Sequence, residues 1–129
     1  MRILIVAAAL AISAVVAGCG TVPINNVEQQ IVATANGKSL TQDQVKSAIL
    51  RAGTQLGWQM KEEGPGMLVA SITLRTHSAV VSIPYSATSY SIHYRSSINL
   101  EESGGKIHKN YNGWIQNLQK GIATQLLLT

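Results

Sequence analysis

Three histidines, six carboxylates and one cysteine are the side chains that chemistry could use in this 129-residue chain. His77, His93 and His108 are scattered, and none stands at a zinc-ligand spacing such as H-E-x-x-H. The simplest reading is three exposed histidines and no metal site. Asp43 falls in the first turn of an expected helix, where it complements the helix dipole. Glu62-Glu63 and Glu101-Glu102 flank turns and are expected to be solvated; Glu28 is the sixth carboxylate. They would form an acid–base pair only if their two loops met. Serines are plentiful, but no G-x-S-x-G elbow surrounds any of them. Gly104-Gly105 opens a helix without the fuller glycine pattern of a phosphate cradle. No catalytic residue and no cofactor is expected, and the chain reads as a non-enzyme. With one thiol, an internal disulfide is excluded.

That thiol, Cys19, sits in the most informative stretch. Met1-Arg2 is a short basic start, and Ile3 to Val16 is an apolar run broken only by Ser13. The run is too short to span a bilayer, which takes about 20 residues. It fits the apolar part of a secretory signal followed by small residues. Val16-Ala17-Gly18-Cys19 resembles the lipobox of bacterial lipoproteins. The resemblance implies a signal peptide over residues 1–18 and a mature chain starting at Cys19. That cysteine would carry a diacylglycerol thioether and, usually, an amide-linked acyl chain such as palmitate. Two or more acyl chains anchor a protein stably. An ordinary signal peptide with a bystander cysteine, or an uncleaved anchor, are the alternatives. Asp directly after the cysteine often retains such lipoproteins at the inner membrane. Here the residue is Gly20, which implies the outer membrane, facing the periplasm, in a two-membrane envelope.

The elements that must position any site follow from periodicity. Residues 19–37 contain Pro23, Asn25, Asn26 and Asn36-Gly37, and read as a lipidated tether with at most a short strand over Val27 to Thr34. A single domain is expected over 38–129. Thr41 with Gln44 predicts a capping box, flanked by Leu40 and Val45 as a hydrophobic staple. Val45, Ala48, Ile49, Ala52 and Leu56 predict a helix from about Gln42 to Leu56, stopped by Gly57. Four alternating segments follow. Closing their hairpins at Gly64, Thr76-His77 and Ala87-Thr88 pairs Met60 with Leu68, Leu74 with Ala79, and Tyr85 with Tyr90. All the apolar residues, Ile98 and Leu100 included, then share one face. Ile107, Tyr111, Trp114, Ile115, Leu118, Ile122 and Leu126 predict a last helix.

The expected fold is therefore α+β: a two-layer sandwich of a four-stranded antiparallel meander with two helices on one face, in the order α-β-β-β-β-α. Its polar face would carry Ser71, Thr73, Arg75, Ser82, Ser91, His93, Arg95, Ser97 and Asn99. Arg75, His93, Arg95, Ser97 and Asn99 are the candidate binding residues; an ordinary solvated face is the alternative. Tyr111 and Trp114 should anchor the last helix, unless Trp114 and its neighbouring asparagines form a recognition patch. The whole chain also resembles small uncharacterised lipoproteins of proteobacteria, through Ala52-Gly53 to Gly57-Trp58, Tyr90 to Tyr94, and Ile107-His108 to Asn112-Gly113-Trp114-Ile115. This implies location and class but no site. The formal charge of +4 is mild, and an envelope protein does not meet nucleic acid. The expectation is a membrane partner through the lipid and an envelope protein partner. The alternative is a binder of a small ligand or anionic envelope polymer on the polar face. A small hydrolase ranks last.

Overall fold

In the computed structural model, which describes residues 20–129, the Thr41 hydroxyl accepts from the Gln44 N–H at 3.1 Å. The Gln44 carboxamide oxygen accepts in return from the Thr41 N–H at 2.9 Å. This expected capping box satisfies donors that every helix start leaves free. Helix α1 spans Gln42–Gln55 and buries Val45, Ala48, Ile49 and Ala52. Gly53 is buried too, because a Cβ there would collide with the Met60 thioether on the adjacent strand. The signal segment and Cys19 lie outside the described residues.

The antiparallel meander forms as expected from β3 (Gln59–Glu62), β4 (Met67–Leu74), β5 (His77–Pro84) and β6 (Ser89–Ile98). The sheet has five strands, however, not four. Val27–Ile31 forms β2 and pairs antiparallel with β6, giving the order β2-β6-β5-β4-β3. Before it, Thr21–Pro23 forms β1, which pairs with β7 (Lys106–His108) directly ahead of α2 (Lys109–Leu127). The element order is thus β-β-α-β-β-β-β-β-α in place of α-β-β-β-β-α. Residues 20–37, expected as a tether, belong to the fold. The Lys109 N–H donates to the Gly20 carbonyl at 2.6 Å and the Ile24 N–H to the Gly105 carbonyl at 2.9 Å. The Asn112 carboxamide bonds both the Asn25 N–H (3.0 Å) and the Pro23 carbonyl (2.9 Å). Alternation could not announce β2, because Val27 is its only buried residue and a bulge breaks its period.

Two hairpins close two residues from the expected register. Met60 faces Ala70, and Leu74 faces His77 across a turn at Arg75-Thr76. A shift of two keeps the same face buried, so the hydrophobic pattern cannot distinguish the two registers. The third hairpin has the expected register, with Tyr85 opposite Tyr90 and Ser82 opposite His93. It then departs at a bulge. Val81 faces Tyr94 but Val80 faces Ser96, so Arg95 is the extra residue. One extra residue reverses the alternation beyond it. Ser97 therefore sits opposite the buried Ala79, and Ile98 turns outward, 64% exposed. Both reverse the expected placement. Ser97 and Tyr94 satisfy each other through their hydroxyls at 2.8 Å.

The inward side chains of the sheet and the stripes of both helices form one core. Ile115, Leu118, Ile122 and Leu126 of α2 are buried as expected, and Tyr111 meets Tyr94 edge to face, with ring centroids 5.6 Å apart. Trp114 is only half-buried. Ser91, expected on the wet face, is 2% exposed, and its hydroxyl accepts from the N–H of Gln29 at 2.9 Å. Gln29 has φ +47 and lies in the β2 bulge, so Ser91 satisfies a donor that the bulge removes from the ladder. The Tyr90 and Tyr111 hydroxyls are buried without a hydrogen-bond partner.

Two predictions follow from these buried groups. Ser91→Ala leaves the Gln29 N–H unpaired and lowers stability by about 1–3 kcal/mol in denaturant titration. Tyr90→Phe removes a hydroxyl that gains no hydrogen bond, and raises stability by about 1 kcal/mol. Burial pushes the Tyr90 phenol up to about 12, and raises Tyr111 by the same cause, with Tyr94 adding to it. A raised folded value means the contribution is full below the unfolded value, about 10. It is lost as pH climbs from there through the folded value. The wild type therefore unfolds in alkali as its tyrosines ionise, and Tyr90→Phe moves that midpoint, read by circular dichroism, to higher pH.

Candidate partner-binding face of the sheet

The helices cover one side of the sheet and leave the other open. On the two central strands the outward positions are Val69, Ser71 and Thr73 on β4, and Ser78, Val80 and Ser82 on β5. Strict alternation places them there, opposite the buried Leu68, Ala70, Ile72, Ala79, Val81 and Ile83. These six side chains are short; Met67 and Pro84, which alternation also turns outward, end the row, and the Arg95–Glu63 contact described next crosses it.

Most of the charge on the face is paired, and one pair reaches across the sheet from β6 to the residue after β3. The Arg95 guanidinium, carried outward at the bulge, donates to both Glu63 carboxylate oxygens, at 2.9 and 2.8 Å. This two-pronged geometry is the strong form of the Arg–carboxylate contact. His93 Nε2 lies 2.9 Å from a Glu28 carboxylate oxygen on β2. The Arg95 hydrogen bond holds the Glu63 carboxyl below its ordinary value, and the same contact raises Arg95. Because both side chains are 40% or more exposed, water screens the pair and it contributes little to stability. Its effect is on the surface: of the three basic residues of this face, Arg95 and His93 each meet a carboxylate, while Lys61, opposite the outward Val69, makes no ion pair among the described residues.

The five candidate residues do not come together. His93 and Arg95 lie on the face. Arg75 is in the β4–β5 turn at φ +58 and makes no ion pair among the described residues. Asn99 lies beyond the end of β6, where its side-chain amide donates to the Thr76 carbonyl at 2.8 Å. Ser97 is turned to the inner side. Sequence reasoning missed Glu28 and Glu63 as partners. Glu63 stands three strands away from Arg95, and Glu28 belongs to a strand whose pairing periodicity did not reveal. The signal that was available is count alone: the margins of the face hold acids as well as bases.

The other candidate chemistry disperses as well. Glu62 and Glu63 point to opposite sides of the sheet. Glu62 accepts from Lys46 of α1 at 2.7 Å, while Glu63 binds Arg95. Glu101 and Glu102 follow the far end of β6 and do not meet them. His108 caps α2, its Nδ1 accepting from the Asn110 N–H at 3.1 Å. Among the described residues no group of three His, Cys, Asp or Glu side chains is placed to hold a metal ion. Beside the start of α2 a shallow depression of about 520 Å³ is lined by Val22, Lys109, Asn110, Trp114 and Asn117, among others.

Replacing both Glu28 and Glu63 with Gln unmasks His93 and Arg95. The double variant should elute from a sulfated-polysaccharide column at higher salt than the wild type at neutral pH. Acid should do the same to the wild type. A lowered folded value keeps the Glu63 contact complete above the ordinary 4.5 and releases it only as pH falls through and below that value. Comparison with protein-family models, with curated proteins and with solved structures finds no match to this chain.

Proposed function

We propose that this is a lipid-anchored, non-enzymatic protein of the cell envelope that faces the periplasm from the outer membrane and docks another envelope protein on its open sheet face. The observation that carries the partner class is the charge pairing on that face, where two of the three basic residues each meet a carboxylate. A surface built for an anionic polymer presents uncompensated cations. Here Arg95 is held by Glu63 and His93 by Glu28, which leaves Lys61 as the one basic residue of the face without an ion pair among the described residues, beside outward Val, Ser and Thr of β4 and β5. Compensated charges among short neutral side chains suit a protein surface. The anchored location rests on the lipobox-like Val16-Ala17-Gly18-Cys19.

The test uses the full chain expressed with its own leader in a two-membrane bacterium. A photo-crosslinking residue replaces Thr73 on the open face or Gln116 on α2. A discrete protein adduct from the Thr73 position, absent from the Gln116 position and lost in Cys19→Ser, is the expected result. No adduct at Thr73 from a chain that fractionates with the outer membrane overturns the docking reading. A mature chain that is soluble and carries no lipid mass overturns the anchor.

A further inference from the structure

Where the chain leaves the fold at its N-terminal side decides how a lipidated form would sit on a membrane. Gly20 is fixed by the 2.6 Å bond from the Lys109 N–H to its carbonyl. Thr21, Val22 and Pro23 are laddered to His108, Ile107 and Lys106. Cys19 directly precedes this fixed point. One residue spans at most about 3.6 Å, so a lipid on Cys19 would be joined to the folded domain with no slack.

The elements gathered at that point form one end of the molecule. β6 delivers the chain there at Ile98, and the His108 N–H donates to the Leu100 carbonyl at 2.8 Å. The Arg75-Thr76 turn is at the same end, tied by Asn99. The opposite end holds the Ser86 to Ser89 turn and, hydrogen-bonded or adjacent to it, residues 32–38. Ten residues of β6 separate the two ends, about 33 Å of extended strand.

We infer that the bilayer surface is the partner of the first end. On this inference, which rests on lipidation of Cys19, the domain stands on the phospholipid headgroups with the α2 start, the β7 hairpin and the Arg75 turn downward. The strands rise away from the membrane, and the open sheet face looks sideways into the periplasm. The contact surface suits headgroups. Arg75, Lys106 and Lys109 are exposed there against two exposed carboxylates, Glu101 and Glu102. The first turn of α2 contains no acidic residue. The half-buried Trp114 lies just beyond that turn beside the depression shared with Val22 and Lys109, and indole is suited to a membrane–water interface.

The test is positional. The full lipidated chain is purified, its lipid mass is confirmed by mass spectrometry, and it is reconstituted in phosphatidylethanolamine/phosphatidylglycerol vesicles. With Cys19 blocked by its lipid, Asn110→Cys and Lys38→Cys each offer one thiol for a fluorophore, at the near and far ends. Lipids with a nitroxide on the headgroup should quench the probe at position 110 several-fold more than the probe at 38. A flexible Gly-Ser spacer inserted between Cys19 and Gly20 should bring the ratio towards one. Equal quenching of the two probes in the confirmed lipidated protein overturns the inference while leaving the anchor intact. Failure to find the lipid mass overturns the anchor itself, before any quenching is measured.

Discussion

β6 must satisfy two neighbours at once, and the rest of the structure depends on how it does so. It pairs with β5 on one edge and with β2 on the other, while keeping Tyr90, Ile92 and Tyr94 towards the helices. Two bulges reconcile these demands. The β2 bulge is held by the buried Ser91 hydroxyl, which accepts the Gln29 N–H. Opposite the second, at Arg95, the Asn26 side chain accepts the Tyr94 N–H at 2.9 Å. Each bulge reverses the face presented by the residues beyond it. Past Arg95 the reversal swaps Ser97 inward and Ile98 outward. Asn99, at φ +59, then redirects the chain so that Leu100 returns to the core, 1% exposed. A residue that tolerates the left-handed region is needed there, and Asn is among the few with a side chain that does.

What could be read from the sequence follows from the same mechanics. The helices were legible because capping and a 3.6-residue stripe are local signals: Thr41 with Gln44, and Ile115, Leu118, Ile122 and Leu126. The meander was legible as a set of faces, because alternation reports sidedness. It was not legible as registers, because a slide of two residues leaves sidedness unchanged, as at Met60 and Leu74. β1 and β7, and the place of β2 in the sheet, escaped notice for a different reason. They are short or bulged, and their stabilising bonds join residues more than 60 positions apart, as in Gln29 to Ser91 and Asn25 to Asn112. No local window contains such a pair.

The candidate site was legible to the same degree. The bulge at Arg95 reverses only the residues beyond it, so the positions of His93 and Arg95 on the open face both follow from alternation. Their neutralisation does not follow from any pattern, since Glu63 and Glu28 arrive from the two opposite edges of the sheet. This changes the meaning of the basic composition. The chain's formal charge of +4 suggests affinity for anions, but on this face Arg95 is committed to Glu63 and only Lys61 is left without an ion pair among the described residues. A carboxylate held below its ordinary value by a forked arginine also stays charged through the neutral range. Arg95 is therefore compensated at neutral pH, which gives shape and hydrogen bonding the larger share in the docking proposed for this face.

The N-terminal strands also impose an order on folding. β1 and β2 come first in the chain, but β2 pairs with β6 and β1 with β7, so neither can be fixed until nearly the whole domain is present. Closing such long loops costs entropy before any contact rewards it. The meander pairs neighbouring segments and faces no such delay, whereas α1 also waits for α2, against which it packs. The segment 20–31 is thus the natural last piece: it needs the β6 edge, the β7 hairpin and the start of α2 already in place. Once docked, it closes the β6 edge against further pairing and covers Val27 and Ile24 against the core. The same docking removes the slack between position 19 and the fold, so the orientation of an anchored molecule would be set by the final folding step rather than by the surface chemistry of the domain alone.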